Sequence, residues 1–241
     1  MMADHTVTAY DEELQALARY IAEMGGIAEG MIVDALHALL RADAVLARKV
    51  IADDKDLDKL QRQVEEDAIL TIAKRQPMAS DLREIIAALR ISNDLERCGD
   101  LAKNIAKRAI AIEGMVQPSK LIHGIEHMAE LAQAQLTKVL NAYVAGDVDE
   151  AELVWQNDNE IDAMYTSLFR ELLTYMMEDP RNISFCTHLL FCAKNVERIG
   201  DHATNIAETV IFKETGIQLE DERPKGDNSA IEVPDQPRPQ S

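Results

Sequence analysis

The chain is written twice. Shifted by 104 residues, "IAEMGGIAEGMIVDALHALLRADAVLARKVIADDKDLD" lies without a gap on "IEHMAELAQAQLTKVLNAYVAGDVDEAELVWQNDNEID". Ile21, Met24, Ala28, Leu36, Ala38, Asp43, Ala47, Val50, Asp54 and Asp58 then coincide with Ile125, Met128, Ala132, Leu140, Ala142, Asp147, Ala151, Val154, Asp158 and Asp162. Further along the register becomes 101 residues, which places three extra residues of the first half around the "KRQPMASD" turn. In that register Glu96, Arg97, Gly99, Asp100, Ala102, Asn104, Ile105 and Ala106 match Glu197, Arg198, Gly200, Asp201, Ala203, Asn205, Ile206 and Ala207. A tandem duplication therefore accounts for all but the ends, and it must be explained before any single element.

The repeated unit reads as helix. Gly and Pro are scarce before residue 216, aromatic residues are 4% of the chain, and Ala, Leu, Ile, Glu and Lys dominate, which favours helices over sheets. Ile91, Leu95, Cys98, Ala102, Ile105, Ala109 and Ile112 recur in steps of three and four, as do Cys192, Val196, Ile199, Ala203, Ile206 and Val210 in the copy. The first half divides into helices over about 10–40, 43–74 and 81–112, with Gln76-Pro77 ending the second and an Asp81/Glu84 capping box starting the third. The second half repeats the plan over about 119–145, 147–177 and 182–213, with Gly146 and Pro180 as punctuation. An all-α fold of two tandem three-helix bundles follows, residues 1–116 and 117–215, with a disordered proline-rich tail over 216–241. Gly99 and Gly200 cost about 1 kcal/mol each in a helix interior, so each marks close helix packing or room for a ligand.

Charge bounds the partners. The net charge of −18 repels nucleic acid and anionic headgroups, and with few aromatic residues there are few platforms for stacked bases. The first residues, "MMADHTVTAYDEELQ", lack a basic stretch followed by an apolar run, and no segment is apolar enough to span a membrane. Cys98, Cys186 and Cys192 are odd in number and lack CxxC spacing, as expected of reduced, buried thiols in a cytoplasmic protein.

Two acidic ladders remain in each half. Glu96 and Asp100 lie four apart on the third helix, with Asn104 next, and Asp54 and Asp58 do the same on the second. Glu197 with Asp201 and Asp158 with Asp162 repeat them. Residues at this spacing project from one helix face, and like charges there destabilise it by about 0.2–0.5 kcal/mol per pair. Either the acids lie on a solvated face and pair with arginines such as Arg97 and Arg198, or hard cations relieve the repulsion, since carboxylate oxygens suit such ions. Spacing alone leaves both standing. A di-iron carboxylate enzyme would need Glu-x-x-His, which does not occur, and His37, His123, His127 and His188 are scattered. His202 follows Asp201, but its counterpart Leu101 is apolar. With no phosphate loop, GxSxG or HExxH, no enzyme is expected.

The phrases "QPMASDLREIIAALRISNDLERCGDLAKNIA" and "NVERIGDHATNIAE" resemble the signatures of the PhoU family, over about residues 10–214. The resemblance implies a cytoplasmic, non-enzymatic negative regulator of phosphate uptake and of the phosphate-starvation response. It implies two partners, the ATPase subunit of a phosphate ABC transporter and a sensor histidine kinase, with membrane association only through them. It also implies a homodimer, while the charge argues against a nucleic-acid ligand. The family's E(D)xxxD motifs hold multinuclear divalent or trivalent metal clusters in some members. Position by position they fall on Asp54, Asp58, Glu96 and Asp100, and on Asp158, Asp162, Glu197 and Asp201. Iron, zinc, manganese, magnesium and nickel all remain open as the metal. A metal storage or buffering protein of the same fold is the alternative. Cys98, where the family usually has an apolar residue such as isoleucine, and the tail depart from the pattern.

Overall fold

The computed structural model describes residues 2–115 and 119–219; the expected boundary between the halves and most of the expected tail lie outside them. The described residues form helices and one 3-10 turn: α1 (Met2–Arg41), α2 (Ala44–Arg75), α3 (Ser80–Ala111), α4 (Ser119–Ala145), α5 (Val148–Gln156), α6 (Asp158–Glu178), the turn Pro180–Asn182, and α7 (Ile183–Thr215). The all-α, twice-repeated plan is as expected.

Several repeat-matched residues do the same local work. Asp43 and Asp147 are helix N-caps: the Asp43 carboxylate accepts from the backbone N–H groups of Val45 and Leu46, and that of Asp147 from Glu150. Such a cap stabilises by about 1 kcal/mol. The residue before each cap is left-handed, Ala42 at φ 51° and Gly146 at φ 66°.

Three boundaries differ from expectation. α1 continues back to Met2, since no Gly or Pro in "MADHTVTAY" stops it. The Asp81/Glu84 capping box does not form. Ala79, at φ 44° and ψ −103°, is the N-cap without a side-chain bond, and the Asp81 carboxylate instead accepts from the Ser80 hydroxyl. The single helix expected over 147–177 is split at Asn157. There the Asn157 amide donates to the Leu153 carbonyl, and Gln135 of α4 donates to the Asn157 carbonyl at 3.1 Å. Short polar side chains that bond the nearby backbone compete with helical bonding, and "QNDNE" concentrates them.

α3 and α7 form the spine. α3 packs on α1, α2 and α7, while α7 packs on α3, α4, α5 and α6, and α1 meets α4. Arg83 near the start of α3 donates to the Lys213 carbonyl near the end of α7, and Arg108 meets His188 at the opposite ends, so the two run antiparallel. The apolar stripes of all these helices merge into one core that includes Ile91, Leu95, Ile105, Ile125, Val196 and Ile206. The glycines in the spine are packing devices. A Cβ at Gly99 would collide with Leu57, and one at Gly200 would lie 2.8 Å from Ile161. No described helix is long and apolar enough to cross a membrane.

Candidate functional site

The acidic ladders meet on packed helices. Asp54 and Asp58 stand on α2 and Glu96 and Asp100 on α3; Asp158 and Asp162 open α6 while Glu197 and Asp201 stand on α7. Asp54, Asp162 and Glu197 are buried to 5%, 6% and 5% exposure, which a wholly solvated face does not explain. The Asp158 side chain lies outside the described residues.

The two copies treat their acids differently. In the first half Lys103 reaches between the helices. Its Nζ donates to Asp54 at 2.5 Å and to Asp100 at 2.8 Å. Burial alone would lower the lysine pKa, but the hydrogen bonds to Asp100 and Asp54 outweigh it and hold the ammonium above its ordinary value. Arg97 is a looser partner, 3.7 Å from Glu96 and 4.0 Å from Asp100 while itself well exposed. The counterpart of Lys103 is Thr204, whose hydroxyl donates to the Gly200 carbonyl instead.

The second half thus has no lysine at the position from which Lys103 reaches. Lys194 donates to one oxygen of Glu197 at 2.7 Å, but the other, Oε2, is buried with no hydrogen-bond partner among the described residues. So is Oε1 of Gln135, which lies near Gly200 in place of the Met31 that packs near Gly99 in the first half. A buried acceptor without a donor costs about 1–3 kcal/mol. Both orphans are oxygens, the donor type a hard cation takes.

Electrostatics agree with the geometry. The Glu197 carboxyl is pushed above the usual carboxylate range chiefly by burial; Lys194 opposes this, and Asp201 and Asp162 add to it. Glu96 is raised by burial and then Asp100, against Arg97, with Asp58 and Asp54 adding smaller amounts. Among the described residues no three His, Cys, Asp or Glu side chains converge as a metal cage. The unpartnered second-half oxygens are of the type a hard cation takes but do not converge on a cage, whereas the Asp54/Asp100 pair already has a cation in Lys103.

Lys103, Lys194, Gln135 and the break at Asn157 were not among the residues expected from sequence. A mismatch between the copies marks the first and third, Lys103 against Thr204 and Gln135 against Met31. His202, doubtful as a metal ligand, is hydrogen-bonded to Asp94 at 2.8 Å. All three cysteines are free and buried, and burial raises each thiol pKa, which argues against reactive thiolates.

The family model described as the PhoU domain matches the chain twice, over residues 21–109 and 125–210. The chain belongs to the PhoU family. The two matched segments are the two copies of the repeat. A Rhizobium meliloti protein named "Phosphate-specific transport system accessory protein PhoU homolog" is 61% identical over 92% of this chain and 94% of its own length. The crystal structure of PhoU from Pseudomonas aeruginosa superposes with a TM-score of 0.84 at 38% identity, over 86% of this chain and 100% of that one. That of the phosphate transport system regulatory protein PhoU from Streptococcus pneumoniae gives 0.81 at 27% identity, over 88% and 99%.

Proposed function

We propose that this chain regulates phosphate transport, restraining uptake when phosphate is plentiful and acting through protein contacts rather than catalysis. The observation that carries the reading is the match, over nearly the whole chain, to a protein named as an accessory of the phosphate-specific transport system. The likeness to a PhoU structure named as regulatory supports the same direction. In the finer form of the proposal, the chain works in the cytoplasm, as a homodimer, and links the ATPase subunit of a phosphate ABC transporter to a sensor histidine kinase. The acidic surface suits basic partner surfaces and cations.

Metal belongs to the proposal at one end only. Asp162, Glu197 and Asp201, with the Gln135 carbonyl oxygen, would hold a hard divalent or trivalent cation in the second half, supplying positive charge that links α6, α7 and α4 or presents a contact to a partner. In the first half Lys103 supplies that charge itself. Burial of the orphan Glu197 oxygen and of the Gln135 oxygen supports this assignment.

Cross-linked pull-down of the tagged chain from phosphate-replete cells tests the regulatory reading. Recovery of a phosphate-transporter ATPase, with or without a kinase, supports it. Recovery of neither, from a protein that retains stoichiometric metal, would favour storage or buffering.

A further inference from the structure

The α3–α7 seam has two ends related by the duplication, and their charges have diverged. At one end Asp94, 8% exposed, is hydrogen-bonded to His202 at 2.8 Å and accepts from the Asn205 amide at 3.2 Å. A shift of 101 residues carries Asp94 to Asn195 and Asn205 to Asn104 at the other end, so the acid there is an amide. The same shift turns Glu208 and Thr209 into Lys107 and Arg108. The change removes two negative charges where it adds two positive ones.

Asn104, Lys107, Arg108, Ala111, Phe191 and Asn195 line a cavity of about 350 Å³ at that end. Among the described residues neither Lys107 nor Arg108 makes an ion pair, although acids outnumber bases 43 to 25 in the chain. Two uncompensated cations in a concave site concentrate positive potential there. Arg108 is held in place: its guanidinium lies 4.3 Å from the centre of the Phe191 ring and its Nη1 donates to His188 Nδ1 at 3.3 Å. A guanidinium can only donate, so that ring nitrogen accepts and the imidazole is neutral. Burial and the neighbouring Arg108 push the His188 pKa down in accord with this. Histidine thus orients the fork without adding charge, and most of the five guanidinium N–H donors stay available.

We propose that this cavity binds a small tetrahedral oxyanion of the phosphate class. Arg108 supplies the planar fork that matches two anion oxygens, Lys107 a second charge, and the Asn104 and Asn195 amides neutral donors. The site goes beyond the regulatory reading and stands apart from it, because binding is read on the isolated chain.

Calorimetric or NMR titration of the full chain with inorganic phosphate, and separately with phenyl phosphate, tests this against chloride at matched ionic strength. One saturable site is expected. Tighter phosphate identifies the free ion as ligand; tighter phenyl phosphate identifies an esterified one. Arg108→Gln and Asn195→Asp, the latter restoring the acid of the other end, should each weaken binding about tenfold or more, and Lys107→Gln several-fold. Lys49→Gln, remote on α2, should leave it unchanged. Absence of a saturable site, or equal affinity in the three cavity variants and the parent, would overturn the proposal. Should Arg108→Gln fail to fold, Asn195→Asp and Lys107→Gln decide alone, since Lys107 is exposed and Asn195 only half-buried.

Discussion

Replacing Lys103 by methionine removes the ammonium while keeping the length and apolar stem of the side chain. The Lys103, Asp54 and Asp100 side chains are 22%, 8% and 34% exposed, so Asp54 would be left as a buried carboxylate without its cation. Breaking a buried pair from one side costs about 3–5 kcal/mol, and partial exposure of Lys103 and Asp100 brings the expected loss to about 2–4 kcal/mol. At roughly 2–4 °C per kcal/mol for a chain of this size, the melting temperature should fall by roughly 4–16 °C. The assay is thermal and urea unfolding at pH 7 with chelator present. Adding Asp54→Asn to the lysine variant should recover most of the loss, because the unpaired charge is then gone. Magnesium or manganese should stabilise Lys103→Met more than the parent, since freed carboxylates can then take a cation. Unchanged melts, or no recovery from Asp54→Asn, would refute the idea that Lys103 neutralises this cluster.

Further expectations concern the other copy and the helix ends. Burial raises the Glu197 pKa above its unfolded value of 4.5, so between the two values the native state holds a proton that the unfolded state has lost. Stability therefore falls as pH rises through that window, and Glu197→Gln should be more stable than the parent at pH 7 and flatten that part of the pH–stability curve. Ala42 carries the left-handed turn that Gly146 carries in the copy, so Ala42→Gly should stabilise by about 0.5–1 kcal/mol in urea melts, relief of strain outweighing the added chain entropy. Gly99→Ala should destabilise by about 1–3 kcal/mol despite better helix propensity, because Leu57, fully buried, has little room to yield. Gly200→Ala should cost less, and equal melts for the two would contradict the packing assigned to them.

The fold was legible because its signals were periodic and repeated. Ile91 to Ile112 and Cys192 to Val210 trace the spine helices, and Asp43 and Asp147 matched across the copies because both are caps. The capping box at Asp81 misled: left-handed residues at Gln76 and Ala79 set the entry to α3 by backbone geometry that a side-chain pattern does not encode. The break at Asn157 was hidden because its counterpart Asp53 lies in an unbroken helix; the difference depends on Gln135 arriving from α4. Of the candidate site, the carboxylates were legible and their partners were not. Matching positions show what two copies share, whereas Lys103 facing Thr204, and Gln135 facing Met31, are differences that acquire meaning only once α2, α3, α4 and α7 are packed.

Phosphate uptake tests the regulatory role most directly. Cells of the source organism carrying a deletion of this gene, grown in phosphate-rich medium, should take up radiolabelled phosphate faster than the parent and express alkaline phosphatase that the parent keeps repressed, with both restored by the intact gene. Uptake and phosphatase activity indistinguishable from the parent would contradict a regulator of phosphate transport.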